Sequence, residues 1–214
     1  MSLVALSGVP VVSGTVIRPL VGPWVAELEL DGDPAGGELV LGTTKLAGTV
    51  VAGGTYRART SVRVVGGAGK LGTAAPARFF RGLTLRSILS ALLQGAGESL
   101  SSASDAGVVG RSVDAWTVST GTVAGAVALL VSRVPGACWR VLADGSVWVG
   151  VPTWAPAALD GVVLDERRAD GLVELALDSF DIDAGTSIDG RRVRQVRHII
   201  SPESVRTFWW TDAL

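Results

Sequence analysis

A glycine-rich loop is the first segment whose residue types could carry chemistry. Gly67-Ala68-Gly69-Lys70-Leu71-Gly72 follows a strand-like run and matches the G-x-G-x-x-G pattern of dinucleotide-binding loops. That chemistry needs a helix to begin directly after the loop, because the first helical amides hold the pyrophosphate. Pro76 stands where this helix would run, and Lys70 is followed by Leu71 rather than by Ser or Thr. The loop is therefore interpreted as a connector and not as a nucleotide site.

An acidic turn over residues 181–190 is a candidate calcium loop. Asp181, Asp183 and Asp189 supply carboxylate oxygens, which are the ligands that calcium takes. The turn lacks a third ligand at the EF-hand spacing, and Arg192 stands where the bidentate glutamate would be. We interpret the segment as a turn with solvated carboxylates, and we predict no metal.

The chain has one cysteine and one histidine, Cys138 and His198. Together they could form a nucleophilic dyad, but they are too few to hold zinc. Cys138 adjoins apolar residues, where a buried structural thiol is usual. Among the 20 acidic residues, nothing singles out two as a glycosidase pair. The sequence therefore predicts no catalytic residue and no cofactor.

The composition limits which partners the chain could have. It is 48% hydrophobic and 18% charged, with a formal net charge of −1, so a nucleic-acid groove is not expected. Its apolar runs are too short to span a membrane, and the first residues lack the pattern of a secretory signal. One cysteine fits synthesis in a reducing cytoplasm. So few charges suggest that other subunits cover part of the apolar surface.

The periodicity predicts a mainly β protein with a small α+β insertion. Short alternating runs separated by turns continue from Val11 to Val65 and return after residue 156. Between them, helical spacing predicts helices at about 84–95 and 122–133, and Asp144-Gly145 predicts a hairpin over 138–150. The predicted domains are an N-terminal β lobe (1–75), an inserted α+β domain (76–155) and a second β lobe (156–214).

The strand over residues 191–200 and the tryptophans near residue 210 form a candidate subunit interface. Trp209 and Trp210 are adjacent, so in a strand they face opposite sides and one of them can be exposed. Arginine forks suit carboxylates on a neighbouring chain, and exposed aromatic rings suit an interface or the stacking of a sugar. The candidate interface residues are Arg191, Arg192, Arg194, Arg197, Trp209 and Trp210.

Several segments together resemble the central hub proteins of long-tailed phage baseplates, which are related in plan to late-control gene D proteins and to the hub part of VgrG spikes. The shared features are an aromatic-x-Gly-x-Thr-Leu lead-in to a helix and a late Gly-x-x-Val-x-x-Val-x-His strand. The segments that carry them are Ser61–Leu71, Phe79–Leu89, Trp139–Gly150, Gly190–His198 and Val205–Thr207.

The resemblance implies a non-catalytic structural protein of the virion, located in the tail baseplate and assembled in the host cytoplasm. It implies two barrel-like lobes in each subunit and a homotrimer whose pseudo-sixfold ring joins a tail tube to a spike. DNA would be met only as it passes through the tail lumen. A neighbouring baseplate ring protein, a carbohydrate-binding β module of a tail tip, and an enzyme with a site outside these patterns stay open as alternatives.

The helix predicted over 84–95 gives a direct test of the inserted domain. Its five apolar residues at helical spacing include Leu89, which we expect to face the core. We predict that Leu89→Asp unfolds the inserted domain, because a buried unpaired carboxylate costs several kcal/mol. Thermal unfolding followed by circular dichroism measures this loss. An unchanged melting temperature would show that this face of the helix is exposed.

Overall fold

The computed structural model describes residues 3–57, 59–158, 162–167, 170–176 and 180–211. Strands predominate in this part of the chain, and the mainly β fold with a small α+β insertion is confirmed. The sequence predicts strands over residues 161–164 and 172–177. Gly161, which begins the first, and Leu177, which ends the second, lie outside the described residues. The helices are α1 (Leu85–Gly95), α2 (Ala106–Val109) and α3 (Val123–Val131). The strands are β1 (Val4–Leu6), β2 (Val9–Pro19), β3 (Val25–Leu30), β4 (Leu39–Leu41), β5 (Thr44–Leu46), β6 (Gly48–Tyr56), β7 (Arg59–Gly66), β8 (Arg78–Thr84), β9 (Ser112–Val118), β10 (Cys138–Val141), β11 (Val147–Gly150), β12 (Ala155–Pro156), β13 (Val162–Arg167), β14 (Leu172–Ala176), β15 (Thr186–Ile188), β16 (Arg191–Ile200) and β17 (Val205–Thr211).

Alternating sequence sets the face that each N-terminal strand buries. In β3, Ala26, Leu28 and Leu30 are buried, while Glu27 between them is exposed. β7 shows the same period of two, and it pairs antiparallel with β3 from Val25↔Val65 to Leu30↔Thr60. Residues that alternate in this way keep one face of the sheet dry.

One continuous antiparallel sheet joins the N-terminal and C-terminal strands. Its order is β13-β14-β17-β16-β2-β3-β7-β6. The middle of the sheet is the pairing of β2 with β16, which extends from Gly14↔Ile200 to Pro19↔Gln195. β2 pairs with β1 through Val9 and Pro10 and with β3 from Val11 onward, with a register shift between Val11 and Ser13.

The sheet is open at both ends in the described part of the chain. β6 pairs with β7 and β13 pairs with β14, and neither has a described strand on its outer side. The barrel-like lobes expected from the resemblance are therefore two halves of one sheet, and no closed barrel is found. In each half the last described strand, β6 or β13, pairs on one side only, so neither half closes upon itself.

The inserted segment carries the helices. α1 begins after Thr84, whose hydroxyl accepts a hydrogen bond from the Ser87 amide, and its buried face includes Leu89, which is 0% exposed. α3 begins in the same way after Thr122, and β10 and β11 form the hairpin around Asp144-Gly145. β8 and β9, which were not predicted, form a separate two-stranded ribbon. The domain boundaries themselves stay a prediction.

The described residues contain two large apolar cores and a small third cluster of Leu20, Cys138 and Ala184. The larger core is continuous from the N-terminal strands into the inserted helices, so that Val64, Leu89 and Val147 belong to one cluster. The smaller core lies between β14, β16 and β17 and is centred on Val196 and Trp209. The C-terminal strands thus have a core of their own, and their sheet continues into the N-terminal sheet through β2.

β3 passes close to β2 at Gly14. A Cβ atom at residue 14 would lie 2.4 Å from the carbonyl oxygen of Glu27 and 3.0 Å from the Cα of Leu28. We therefore predict that Gly14→Ala lowers the free energy of unfolding by about 1–3 kcal/mol, because backbone atoms have to shift.

Gly54 in β6 is the matched control for this change. A Cβ atom there would meet nothing within 4 Å, so Gly54→Ala is expected to change stability little. Urea unfolding of both variants measures the difference. Equal stability of the two variants would contradict the close approach at Gly14.

Candidate subunit interface

The arginines of β16 make contacts within the chain. The Arg191 guanidinium pairs with the Glu166 carboxylate of β13. Arg192 and Arg194 lie over the ring of Trp154, with 5.1 Å and 5.5 Å between each guanidinium carbon and the ring centroid. These contacts hold β16 against β13 and against the segment before β12. Arg197 is half-buried in the same strand.

Asp183 is the meeting point of three parts of the chain. Its carboxylate lies 3.1 Å from the guanidinium of Arg18 in β2 and 3.7 Å from that of Arg140 in β10. Arg18 also donates to the carbonyls of Phe180 (3.3 Å) and Ile182 (3.4 Å). Arg18 is only 9% exposed, so its charge requires these partners. This carboxylate therefore ties the N-terminal sheet and the insertion to the 180–184 loop.

The acidic turn lacks the features of a metal site. Asp183 is engaged by two arginines, and Asp189 occupies the tip of the turn before β16 with a φ of 49°. Within the described residues, no group of three or more His, Cys, Asp or Glu side chains could hold a metal ion.

The two adjacent tryptophans face opposite sides of β17. Trp209 is 3% exposed and packs in the C-terminal core, whereas Trp210 is half-buried on the other face, opposite Leu172. The two rings face opposite sides, as the sequence predicts, and the structure places Trp209 in the core. Trp210 is the member of the pair that a neighbouring molecule can reach.

The glycine-rich loop binds a carboxylate of the chain itself. The two carboxylate oxygens of Glu98 accept hydrogen bonds from the amides of Ala68 and Lys70, both at 2.9 Å. Glu98 is 4% exposed, and Gly67 has a φ of +77° with no room for a side chain, because a Cβ there would lie 2.6 Å from Glu98 Oε2. The loop does bind an anion, but that anion is Glu98, and its role is to fasten the end of α1 to the end of β7.

Cys138 and His198 are both buried and have different surroundings. Burial raises the pKa of the Cys138 thiol, with a partly opposing effect of Arg140 and Arg194, so the neutral thiol is favoured. His198 Nδ1 lies 3.0 Å from the Thr207 hydroxyl, and the imidazole packs on Phe180 with 5.2 Å between ring centroids. These surroundings are those of packing residues.

The ends of the long sheet are the surface feature that the sequence did not reveal. All six residues of β13 are exposed, and Val162, Val163 and Leu164 are 64%, 42% and 53% exposed. At the other end, β6 exposes Val51 and Tyr56. The run of consecutive apolar residues in β13 was the one sequence signal for this edge, but such a run usually indicates a strand that is buried on both faces. Here the run lies at an unpaired edge, so both ends of the sheet offer backbone groups and apolar side chains to a partner.

His198 links stability to pH. Burial, and secondarily the Arg18 charge, lower the pKa of His198 from 6.5 to about 3. The unfolded chain therefore binds a proton near pH 6.5 that the folded chain excludes, so stability is full above pH 6.5 and falls with decreasing pH. His198 is the only histidine.

We predict that the free energy of unfolding falls by about 2 kcal/mol between pH 6.5 and pH 5, and that it falls less in His198→Gln. Urea unfolding across this range measures it, and parallel curves for the two proteins would contradict the assignment.

The architecture is shared with tail proteins of known structure. No protein-family model and no curated protein sequence matches the chain. The 43 kDa tail protein of prophage MuSo2 from Shewanella oneidensis superposes with a TM-score of 0.70 and 12% identity, over 97% of this chain and 96% of that one.

Two further structures are similar to this chain. One is a component of the type VI secretion system of E. coli that exhibits structural similarity to the T4 bacteriophage tail proteins gp27 and gp5. It has a TM-score of 0.68 and 11% identity, over 99% of this chain and 76% of that one. The other is the tail protein from Neisseria meningitidis MC58, with a TM-score of 0.64 and 12% identity, over 97% and 94%. At such identities the likeness concerns the fold alone, and the chain has the β-rich fold of these tail proteins.

Proposed function

We propose that the chain is a structural subunit of a phage-tail baseplate and forms a central hub ring between the tail tube and the spike or tip. The observation that carries the proposal is the match to the Shewanella tail protein over nearly the whole of both chains. The resemblance of the late Gly190–His198 strand to that of baseplate hubs supports the same conclusion. The protein would act in the virion, through contacts with other tail proteins, without catalysis.

The open sheet offers a way to build such a ring. β13 and β6 lie at the two ends of a series of eight strands within one thirteen-stranded sheet of the described chain. If β13 of one subunit pairs with β6 of the next, each contact is head-to-tail, and a closed cycle covers the unpaired edges of both strands in every subunit. Pairing would also cover Val162, Val163 and Leu164, whose exposure in a single subunit favours association. The copy number of three comes from the resemblance to hub proteins.

Residues of β16 and β17 would support this interface. Arg191 orients β13 through Glu166, so it sets the position of the proposed edge. Trp210 is half-buried and Arg192 is exposed, and both can contact a neighbouring subunit. Arg194, Arg197 and Trp209 contribute to the proposed interface by fixing the shape of the C-terminal half of the sheet.

A sugar-binding role has less support from the positions of the tryptophans. Trp24, Trp116, Trp139 and Trp209 are buried. Trp148 and Trp154 are half-buried and have arginines over their rings. A sugar needs an open aromatic face, so Trp210 is the best of these seven rings for stacking. No helix of the described chain is long and apolar enough to cross a membrane.

Cysteine cross-linking in assembled tails tests the ring. We predict that tails carrying Val163→Cys together with Gly54→Cys, treated with a short bis-maleimide, yield a covalent trimer on a denaturing gel. Each single variant should stay monomeric, because a head-to-tail contact joins two different edges. Cys138 is buried and is expected to react little.

The control pair is Val163→Cys with Leu129→Cys, because Leu129 is 68% exposed on α3, away from the sheet ends. This pair should give no trimer. An electron-microscopy map of the same particles that shows this chain as a lone copy away from the tail axis would overturn the proposal.

A further inference from the structure

The ribbon of β8 and β9 has one face on the core and one in solvent. Phe80 and Trp116 are buried on the inner side, and their rings stack with 5.9 Å between centroids. Phe79 points to the other side and is 65% exposed, opposite the exposed Thr117. Leu83 in the same strand is 39% exposed. The outer side of the ribbon therefore presents apolar side chains to solvent.

Positive charge surrounds these apolar groups. Arg78, Arg81, Arg86 and Arg111 are all exposed, and none has a carboxylate within 4 Å among the described residues. Asp114 is the one acidic residue in the segments 78–86 and 111–118. The Leu85 amide donates to the Arg111 carbonyl at 2.9 Å, which brings Arg111 beside the start of α1 and Arg86.

Five arginines of the long sheet differ from this group. Each lies 2.5–3.8 Å from a carboxylate of a neighbouring strand, of the same strand or of an adjoining turn. These pairs are Arg59–Asp31, Arg63–Glu27, Arg167–Asp165, Arg191–Glu166 and Arg206–Glu174. The positive charge of the ribbon is therefore concentrated where the chain provides almost no acidic side chain to balance it.

We propose that this ribbon face, defined by Phe79, Arg81, Leu83, Arg86 and Arg111, binds an acidic segment of another protein that also carries apolar side chains. Arginine forks recognise carboxylates with two hydrogen bonds, and an exposed aromatic ring flanked by arginines has the composition of an interface anchor. A two-stranded ribbon also has open edges to which an extended segment can add. Nucleic acid fits less well, because apolar groups occupy the outer side and the chain has a net charge of −1. The ribbon is separate from the sheet ends, so the inference does not depend on the ring.

The test uses the full chain and a fluorescent peptide that alternates Glu and Leu. Binding is followed by fluorescence anisotropy at low salt, beside a peptide that alternates Lys and Leu and a short duplex DNA. We expect the Glu-Leu peptide to bind more tightly than either of the other probes. We expect salt to weaken its binding, because opposite charges make the contact.

Variants locate the binding surface. Arg81→Glu combined with Arg86→Glu is expected to weaken peptide binding roughly tenfold or more, and Phe79→Ser several-fold. The matched controls are Arg133→Glu and Leu129→Ser, which change an exposed arginine and an exposed apolar residue elsewhere in the insertion. Both controls should bind as the unchanged protein does. If the charge reversal lowers the melting temperature, Arg81→Gln with Arg86→Gln replaces it, and a weaker loss in the same direction is expected.

Three outcomes would overturn the inference. The first is a Glu-Leu peptide that does not bind, and the second is equal weakening by Arg133→Glu and by the ribbon variants. The third is tighter binding of the duplex DNA, which would identify the ribbon as a nucleic-acid surface.

Discussion

The pairing of β2 with β16 is the constraint on which the rest of the fold depends. β2 lies between β3 and β16, so the N-terminal and C-terminal strands share a backbone hydrogen-bond network instead of touching only through side chains. This placement uses both edges of β2 and leaves β6 and β13 as the outer strands. The unpaired edges of β6 and β13, on which the proposed ring depends, are the two ends of the series of strands that this pairing joins.

Ion pairs and hydrogen bonds of charged side chains join segments of the chain that the sheet does not connect. Asp183 pairs with Arg18 of the N-terminal sheet and Arg140 of the insertion, and Glu98 closes the glycine-rich loop upon the end of α1. In both places, groups that could bind an external ligand already have partners within the chain. A buried ion that has lost its partner costs several kcal/mol, so these contacts also fix how the parts sit together.

Much of the local structure could be predicted from the sequence, because periodicity is a local property. Alternation identified β3 and β17, and spaced leucines with Thr84 identified α1. The order of the strands could not be derived in this way, because the partner of β2 lies almost at the other end of the chain. The β8–β9 ribbon escaped prediction because β8 has no alternating pattern in the sequence, with Phe79 beside Phe80 and a glycine at residue 82. The candidate interface was predicted from residue types. Residue types do not reveal that Trp209 faces the core or that Arg191 forms an ion pair with Glu166 within the chain.

The position of β2 also has a consequence for the order of events during synthesis. The larger core contains the N-terminal strands and the inserted helices and is nearly complete before β16 is made. Gly14 and Ile200 pair across most of the chain, and such distant contacts form slowly because a long loop has to close first. Until then, the edge of β2 that β16 will cover is open and can accept a strand from another nascent chain. The arrival of the last strands therefore protects a maturing subunit from joining its neighbours along the wrong edge.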